Sequence, residues 1–115
     1  MTLYNTHTCN GQILEICTIQ GSTPGPKILI TAGIHGCEYV GIETAKRLSM
    51  ELSNNAHRVC GCITIIPCVN REAFYARVPA LNPNDGLNIN RVFPGSTSGS
   101  ASHILAAMIT QLQDE

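Results

Sequence analysis

The sequence predicts an α/β fold, a mixed and mostly parallel sheet flanked by helices, and three observations carry that prediction. Two short apolar runs rich in β-branched residues, 27–31 and 60–67, read as strands. Residues 38–53 between them carry apolar residues at helical spacing, and strand, helix, strand within about 40 residues is the crossover that joins parallel neighbours. A second helical pattern at 101–113 supplies another element to cover the sheet.

Taken in order, residues 12–19 mix alternation with β-branching and form the first expected strand. Gly21, Pro24, Gly25 and Pro26 then crowd into a turn-forming stretch. The run after Lys27 is short and apolar, the pattern of a strand buried on both faces. Gly33 and Gly36 punctuate the turn that follows, where glycine permits positive φ or close backbone approach. In the 38–53 helix, Gly41, Ala45, Leu48 and Leu52 define one face, and Glu43 and Arg47 form an i,i+4 pair. Asn54 and Asn55 supply the stop, since asparagine tolerates the left-handed conformation. From Cys68 to Gly95 the hydrophobic period vanishes under asparagines, arginines and prolines, and a loop that long inside one domain is usually functional. Phe74, Tyr75, Leu87, Ile89, Val92 and Phe93 are its expected anchors. The last helix places Ile104, Leu105, Met108, Ile109 and Leu112 on one face, capped by Ser98 or Ser100.

The totals bound the rest. A length of 115 residues suits a single domain, 1–115, and 43% hydrophobic against 13% charged residues argues against disorder. A net charge of −1 with no basic stripe leaves no footprint for nucleic acid or an anionic membrane. No apolar run approaches the roughly 20 residues of a membrane span, and the N-terminus lacks a signal-peptide layout, so a cytoplasmic location is expected. Six cysteines occur with no C-x-x-C pair, which points to free, buried thiols rather than a zinc ribbon or a disulfide framework.

The chemistry concentrates at His35 and Glu38, an imidazole and a carboxylate three apart at a strand-to-helix junction. Zinc accepts both ligand types, and a catalytic site takes three protein ligands and a water. The plainer alternative is an acidic residue placed at a helix N-terminus for the dipole. Cys37 lies between the two as an adventitious soft ligand, while His7, His57 and His103 are expected in solvent. Asp85 most simply shapes the 82–86 turn, with support of a metal-bound imidazole as the alternative.

Three blocks carry a family resemblance: Gly33-Ile34-His35-Gly36-Cys37-Glu38, Val69-Asn70-Arg71-Glu72-Ala73-Phe74, and the run from Asp85 to Gly95 with its D-G-x-N-x-N-R-x-F-P-G pattern. Together they resemble the succinylglutamate desuccinylase/aspartoacylase family of the zinc-carboxypeptidase-like superfamily. The resemblance implies a three-layer fold, a zinc ion held by His35 and Glu38, and hydrolysis of an N-acylated amino acid or similar small amide. It further implies that Arg77 steadies the oxyanion, with Arg71 as a rival, and that Asn90 and Arg91 grip a substrate carboxylate. A guanidinium suits both tasks, since it binds carboxylates bidentately and stays charged.

The same resemblance implies a third histidine ligand and a glutamate base on later elements, and the sequence ends where the next strand should begin. The chain is therefore expected to be the N-terminal portion of such a catalytic domain, inactive alone, with an uncovered sheet edge that invites self-association. A metallocarboxypeptidase acting on peptides and a non-catalytic binding module derived from the enzyme are the rival readings.

Overall fold

The computed structural model describes residues 1–115, and its sheet begins with an element that the apolar pattern does not announce. Asn10 and Gly11 both adopt positive φ, 44° and 86°, the requirement of a two-residue hairpin turn with right-handed strand twist. That turn folds strand β1 (Thr2–Cys9) onto β2 (Gln12–Gln20), with Cys9 opposite Gln12 and Thr2 opposite Ile19. β1 is almost wholly exposed, so its Thr and Tyr content and the turn, not burial, make it a strand.

Strand β3 (Thr23–Thr31), helix α1 (Tyr39–Asn54) and strand β4 (Cys60–Ile66) form the expected crossover, with β3 and β4 parallel. The sheet order is β1-β2-β4-β3 and the sheet is mixed, because β2 meets both β1 and β4 antiparallel. Two expectations about β3 fail. The Gly-Pro stretch is not a separate turn but part of the strand, with a register shift between Thr23 and Lys27. Nor is the strand buried on both faces: it is an edge, and Ile28 stays 46% exposed.

Alternation along β2 divides the core between two faces. Leu14 and Ile16 join Ile66, Val69 and Ile89 beneath helix α3 (Ala101–Asp114), which contributes Ile104, Leu105, Met108 and Ile109. Cys17 and Ile19 join Ile65 beneath Ala45 of α1, with Leu48 and Leu52 alongside. Helices on opposite faces make the three layers. Each fully buried aliphatic side chain contributes about 1.5–3 kcal/mol, so α3 is held mainly by its apolar side chains. The buried face of α1 is Ile42, Ala45 and Ser49; Gly41 is exposed. Asn55 ends the helix at φ −123°, outside the left-handed region, with its amide on the Glu51 carbonyl.

The aperiodic stretch holds a short helix, α2 (Arg71–Ala76), started by Asn70, whose side chain accepts from the Ala73 N–H. Ile89 is a true anchor, fully buried, whereas Tyr75 and Phe93 are exposed. All six cysteines are free, but only Cys17 is buried; Cys37 and Cys60 are exposed. No helix is long and apolar enough to cross a membrane.

Candidate metal centre

The ladder between β3 and β4 continues past the strands: Ala32 donates to the Ile66 carbonyl, Val69 to that of Ala32, and Asn70 to that of Gly33. The chain after β3 is thus held against the chain after β4, at the carboxyl ends of both strands, where open α/β sheets place their sites. Gly33 turns it with φ 67°. Gly36 lets it lie on α2, since a Cβ there would stand 2.6 Å from the Ala73 carbonyl carbon.

This turn brings His35 and Glu38 together. His35 Nδ1 lies 3.5 Å from Glu38 Oε1, with the imidazole 23% and the carboxylate 52% exposed. A helix-capping carboxylate would accept from the first N–H groups of α1. Glu38 does occupy the cap position, but its side chain makes no such bond and instead accepts from the His35 N–H at 3.0 Å. The far side of the ring is anchored too: His35 Nε2 lies 3.0 Å from Asn88 Oδ1. The Asn90 N–H already donates to that oxygen, which marks it as the acceptor. Nε2 is therefore the donor in that bond, and Nδ1 is the ring nitrogen that faces Glu38.

The donor set and its spacing fit zinc. Two ligands at about 2.0–2.1 Å with a tetrahedral angle stand about 3.3 Å apart, close to the separation found. No cluster of three or more His, Cys, Asp or Glu suited to a metal ion forms in the chain, and His35 and Glu38 stand as a pair.

The other expected site residues lie on segments joined by hydrogen bonds to the His35–Glu38 turn. Asn90 and Arg91 lie in a single 3-10 turn, Ile89–Arg91, directly after Asn88, and both are exposed. Arg77 ends α2 in the left-handed conformation at φ 58°. Two residues later the Pro79 carbonyl accepts from the Cys37 N–H, so the Arg77 segment is tied to the His35–Glu38 turn. Arg77 and Arg91 take no part in the ion pairs of the chain. Arg71, the rival, is committed elsewhere: it pairs with Glu15 at 3.3 Å and lies over the Tyr75 ring. Asp85 does not support the imidazole. Its oxygens accept from Leu87, Ser100 and Ser102, and Ser102 N–H is the donor at the start of α3. Ser100 is the cap residue by position, yet its hydroxyl accepts from no helix N–H; it donates to Asp85 and lies 3.1 Å from His103 Nδ1.

The family described as succinylglutamate desuccinylase/aspartoacylase catalytic domain matches residues 24–114. The chain belongs to that family. A curated relative is the N-alpha-acetyl-L-2,4-diaminobutyric acid deacetylase of Halomonas elongata, 34% identical over 97% of this chain and 32% of its own length. An aspartoacylase family protein from Mesorhizobium loti superposes with a TM-score of 0.79 at 37% identity, over 97% of this chain and 36% of that one. The product-bound ectoine utilization protein of Ruegeria pomeroyi gives 0.76 at 30% identity, over 93% and 33%. A metallo-carboxypeptidase from Burkholderia cenocepacia, 17% identical with a TM-score of 0.65, shows the shared fold alone. The chain thus spans about a third of the length of these relatives. Within this aspartoacylase-type frame, Asn88, Asn70 and Asn82 are the positions that residue-by-residue reading missed. Nothing in a lone asparagine separates a turn former from a bridge to a distant imidazole.

Proposed function

We propose that this chain carries the metal-gripping and arginine-bearing part of a zinc-dependent amidohydrolase that removes an acyl group from an N-acylated amino acid. The observation that carries the reading is the His35–Glu38 pair, spaced as two zinc ligands and locked from behind by Asn88. Zinc in such a site supplies a Lewis acid and a water of lowered pKa, near about 7.

The residues of this chain do the rest. Asn88 fixes the tautomer of His35, which leaves Nδ1 free to ligate. Arg77 and Arg91 project from the segments that flank the ligand turn and are neutralised by no carboxylate of the chain. Arg77 offers its guanidinium to the developing oxyanion, an interaction of the order of 3 kcal/mol in acyl transfer. Asn90 and Arg91 hold the carboxylate of the amino-acid portion, Arg91 bidentately. The relatives named as a deacetylase and as aspartoacylase and desuccinylase proteins support an acyl amino acid over a peptide.

Two measurements test this. Equilibrium dialysis followed by elemental analysis is expected to find zinc bound to the chain and lost in His35→Ala and Glu38→Gln; uptake indifferent to both substitutions would refute the site. Grafting this chain in place of the matched stretch of the Halomonas deacetylase is expected to give release of acyl groups from N-acyl amino acids. In that graft Arg91→Ala should raise KM and Arg77→Ala should lower kcat. Cleavage of peptides in preference to acyl amino acids would favour the carboxypeptidase reading.

A further inference from the structure

Two fully buried asparagines lie between the ligand turn and the segment that carries Asn90 and Arg91. Asn70 and Asn82 each have no exposed surface. Asn70 Nδ2 donates to the Ile34 carbonyl at 3.1 Å, one residue before His35. Its Oδ1 accepts from the Ala73 N–H and from Asn82 Nδ2, the latter at 3.1 Å. Asn82 Oδ1 accepts from the Asn84 N–H, while its backbone closes the turn through Leu87 and Gly86. The path from Ile34 through two amides to residues 84–87 therefore runs unbroken, and no buried side-chain nitrogen or oxygen lacks a partner.

We propose that this buried Asn70–Asn82 amide pair sets the spacing between the His35–Glu38 turn and the Asn90–Arg91 segment, which makes Asn70 a positioning residue for metal binding. The inference rests on the proposed metal site. Burying an amide is unfavourable unless its hydrogen bonds are met, and once met they are directional in a way that apolar packing is not. Val69, next in the chain, is equally enclosed at 1% exposure and packs without any such bond. It separates positioning from mere stability.

The experiment compares Asn70→Ala, Asn82→Leu and the control Val69→Ala, reading zinc affinity by competition with a chromophoric chelator and hydrogen exchange by mass spectrometry. Asn70→Ala is expected to weaken zinc binding by about 10- to 100-fold, the usual effect of losing an outer support of a ligand. Residues 34–38 and 82–91 should exchange faster together. Val69→Ala should lower the melting temperature with affinity held within about twofold, well below that outer-support effect. Asn82→Leu keeps the side-chain volume and decides the matter if Asn70→Ala does not fold. Unchanged affinity, or exchange that rises in only one of the two segments, overturns the proposal. Should the wild-type chain take up no zinc, the hydrolase reading fails by itself and the paired exchange response alone judges the spacing role.

Discussion

Replacing Asp85 by alanine removes a carboxylate that fastens the chain leading into the Asn90–Arg91 segment to the start of α3. Its carboxylate accepts from the Leu87 N–H at 3.0 Å, the Ser102 hydroxyl at 2.9 Å, and the Ser100 hydroxyl and Ser102 N–H both at 2.7 Å. Loss of a helix cap costs about 1 kcal/mol, and each hydrogen bond to a charged group about 1.5–3 kcal/mol. The carboxylate is only partly buried, so water replaces some of these bonds and the sum is discounted for screening. A net loss of about 3 kcal/mol remains, or about 15 °C in melting temperature for a domain of this size. Burial alone would raise the Asp85 pKa, but the N–H groups of Ser102 and Leu87 and the hydroxyls of Ser100 and Ser102 outweigh it, and the pKa is lowered. The unfolded chain therefore binds this proton more tightly, at an ordinary aspartate pKa of about 3.9. The stabilisation is complete above that value and fades as pH falls through the lower folded pKa. Thermal melts of wild type and Asp85→Ala should differ widely at neutral pH and converge in acid. A neutral-pH difference below about 0.5 kcal/mol, or a gap that ignores acid, would refute the reasoning.

Gly36→Ala should destabilise by about 1–3 kcal/mol, because the new methyl meets α2 backbone at 2.6–2.7 Å. Gly41→Ala, in open space on the exposed side of α1, should instead stabilise by about 0.5–1 kcal/mol; denaturant melts that rank the two the other way exclude this packing. Burial pushes the Cys68 thiol up, Glu15 adds to it, and Lys46 and Arg71 only partly oppose it. Alkylation followed by mass spectrometry should therefore modify exposed Cys37 and Cys60 before Cys68. The open edge of β3 with its exposed Ile28 should make the chain associate as concentration rises, and Ile28→Lys should relieve it; light scattering from a strict monomer at every concentration would count against this.

What the sequence made legible follows the physics of pattern. The crossover was readable because β-branched runs and a 3.6-residue period are strong, local signals, and α1, β4 and α3 lie within a residue or two of their expected limits. Strand β1 was missed because TLYNTHTC has no hydrophobic alternation; the Asn10–Gly11 pair was its only announcement, and that pair needs a partner strand to mean anything. The burial of β3 was misjudged for a different reason. An apolar run records the surroundings in which a strand packs, and whether neighbours lie on both sides is a property of the sheet, not of the run. For the site, the His35–Glu38 spacing was readable, while the partners of that turn come from 53 and 36 positions away, Asn88 on His35 and Asn70 on the Ile34 carbonyl, and leave no local trace.

Those distant partners also explain how a stretch without hydrophobic period holds a defined shape. Between Asn70 and Asn88 the chain orders itself through four short side chains with a carbonyl or carboxylate oxygen at the same position, Asn70, Asn82, Asp85 and Asn88, each accepting a backbone N–H two or three residues ahead. Each of the four then spends its remaining capacity on a remote partner: Asn70 on the Ile34 carbonyl, Asn82 on Asn70, Asp85 on α3, and Asn88 on His35. Local turns of this type are cheap to form and fix little by themselves. The second bond of each residue converts a turn into a tether: Asn88 holds the imidazole itself, Asn70 the carbonyl just before it, Asn82 reaches it through Asn70, and Asp85 runs to α3. A substitution at any of the four should therefore be felt at His35 in proportion to its place along that network, with Asn88 first, Asn70 next, then Asn82, and Asp85 last. His35 imidazole line widths in nuclear magnetic resonance spectra of the four alanine variants would give that order, and a uniform response across the four would show that the loop is held by packing alone.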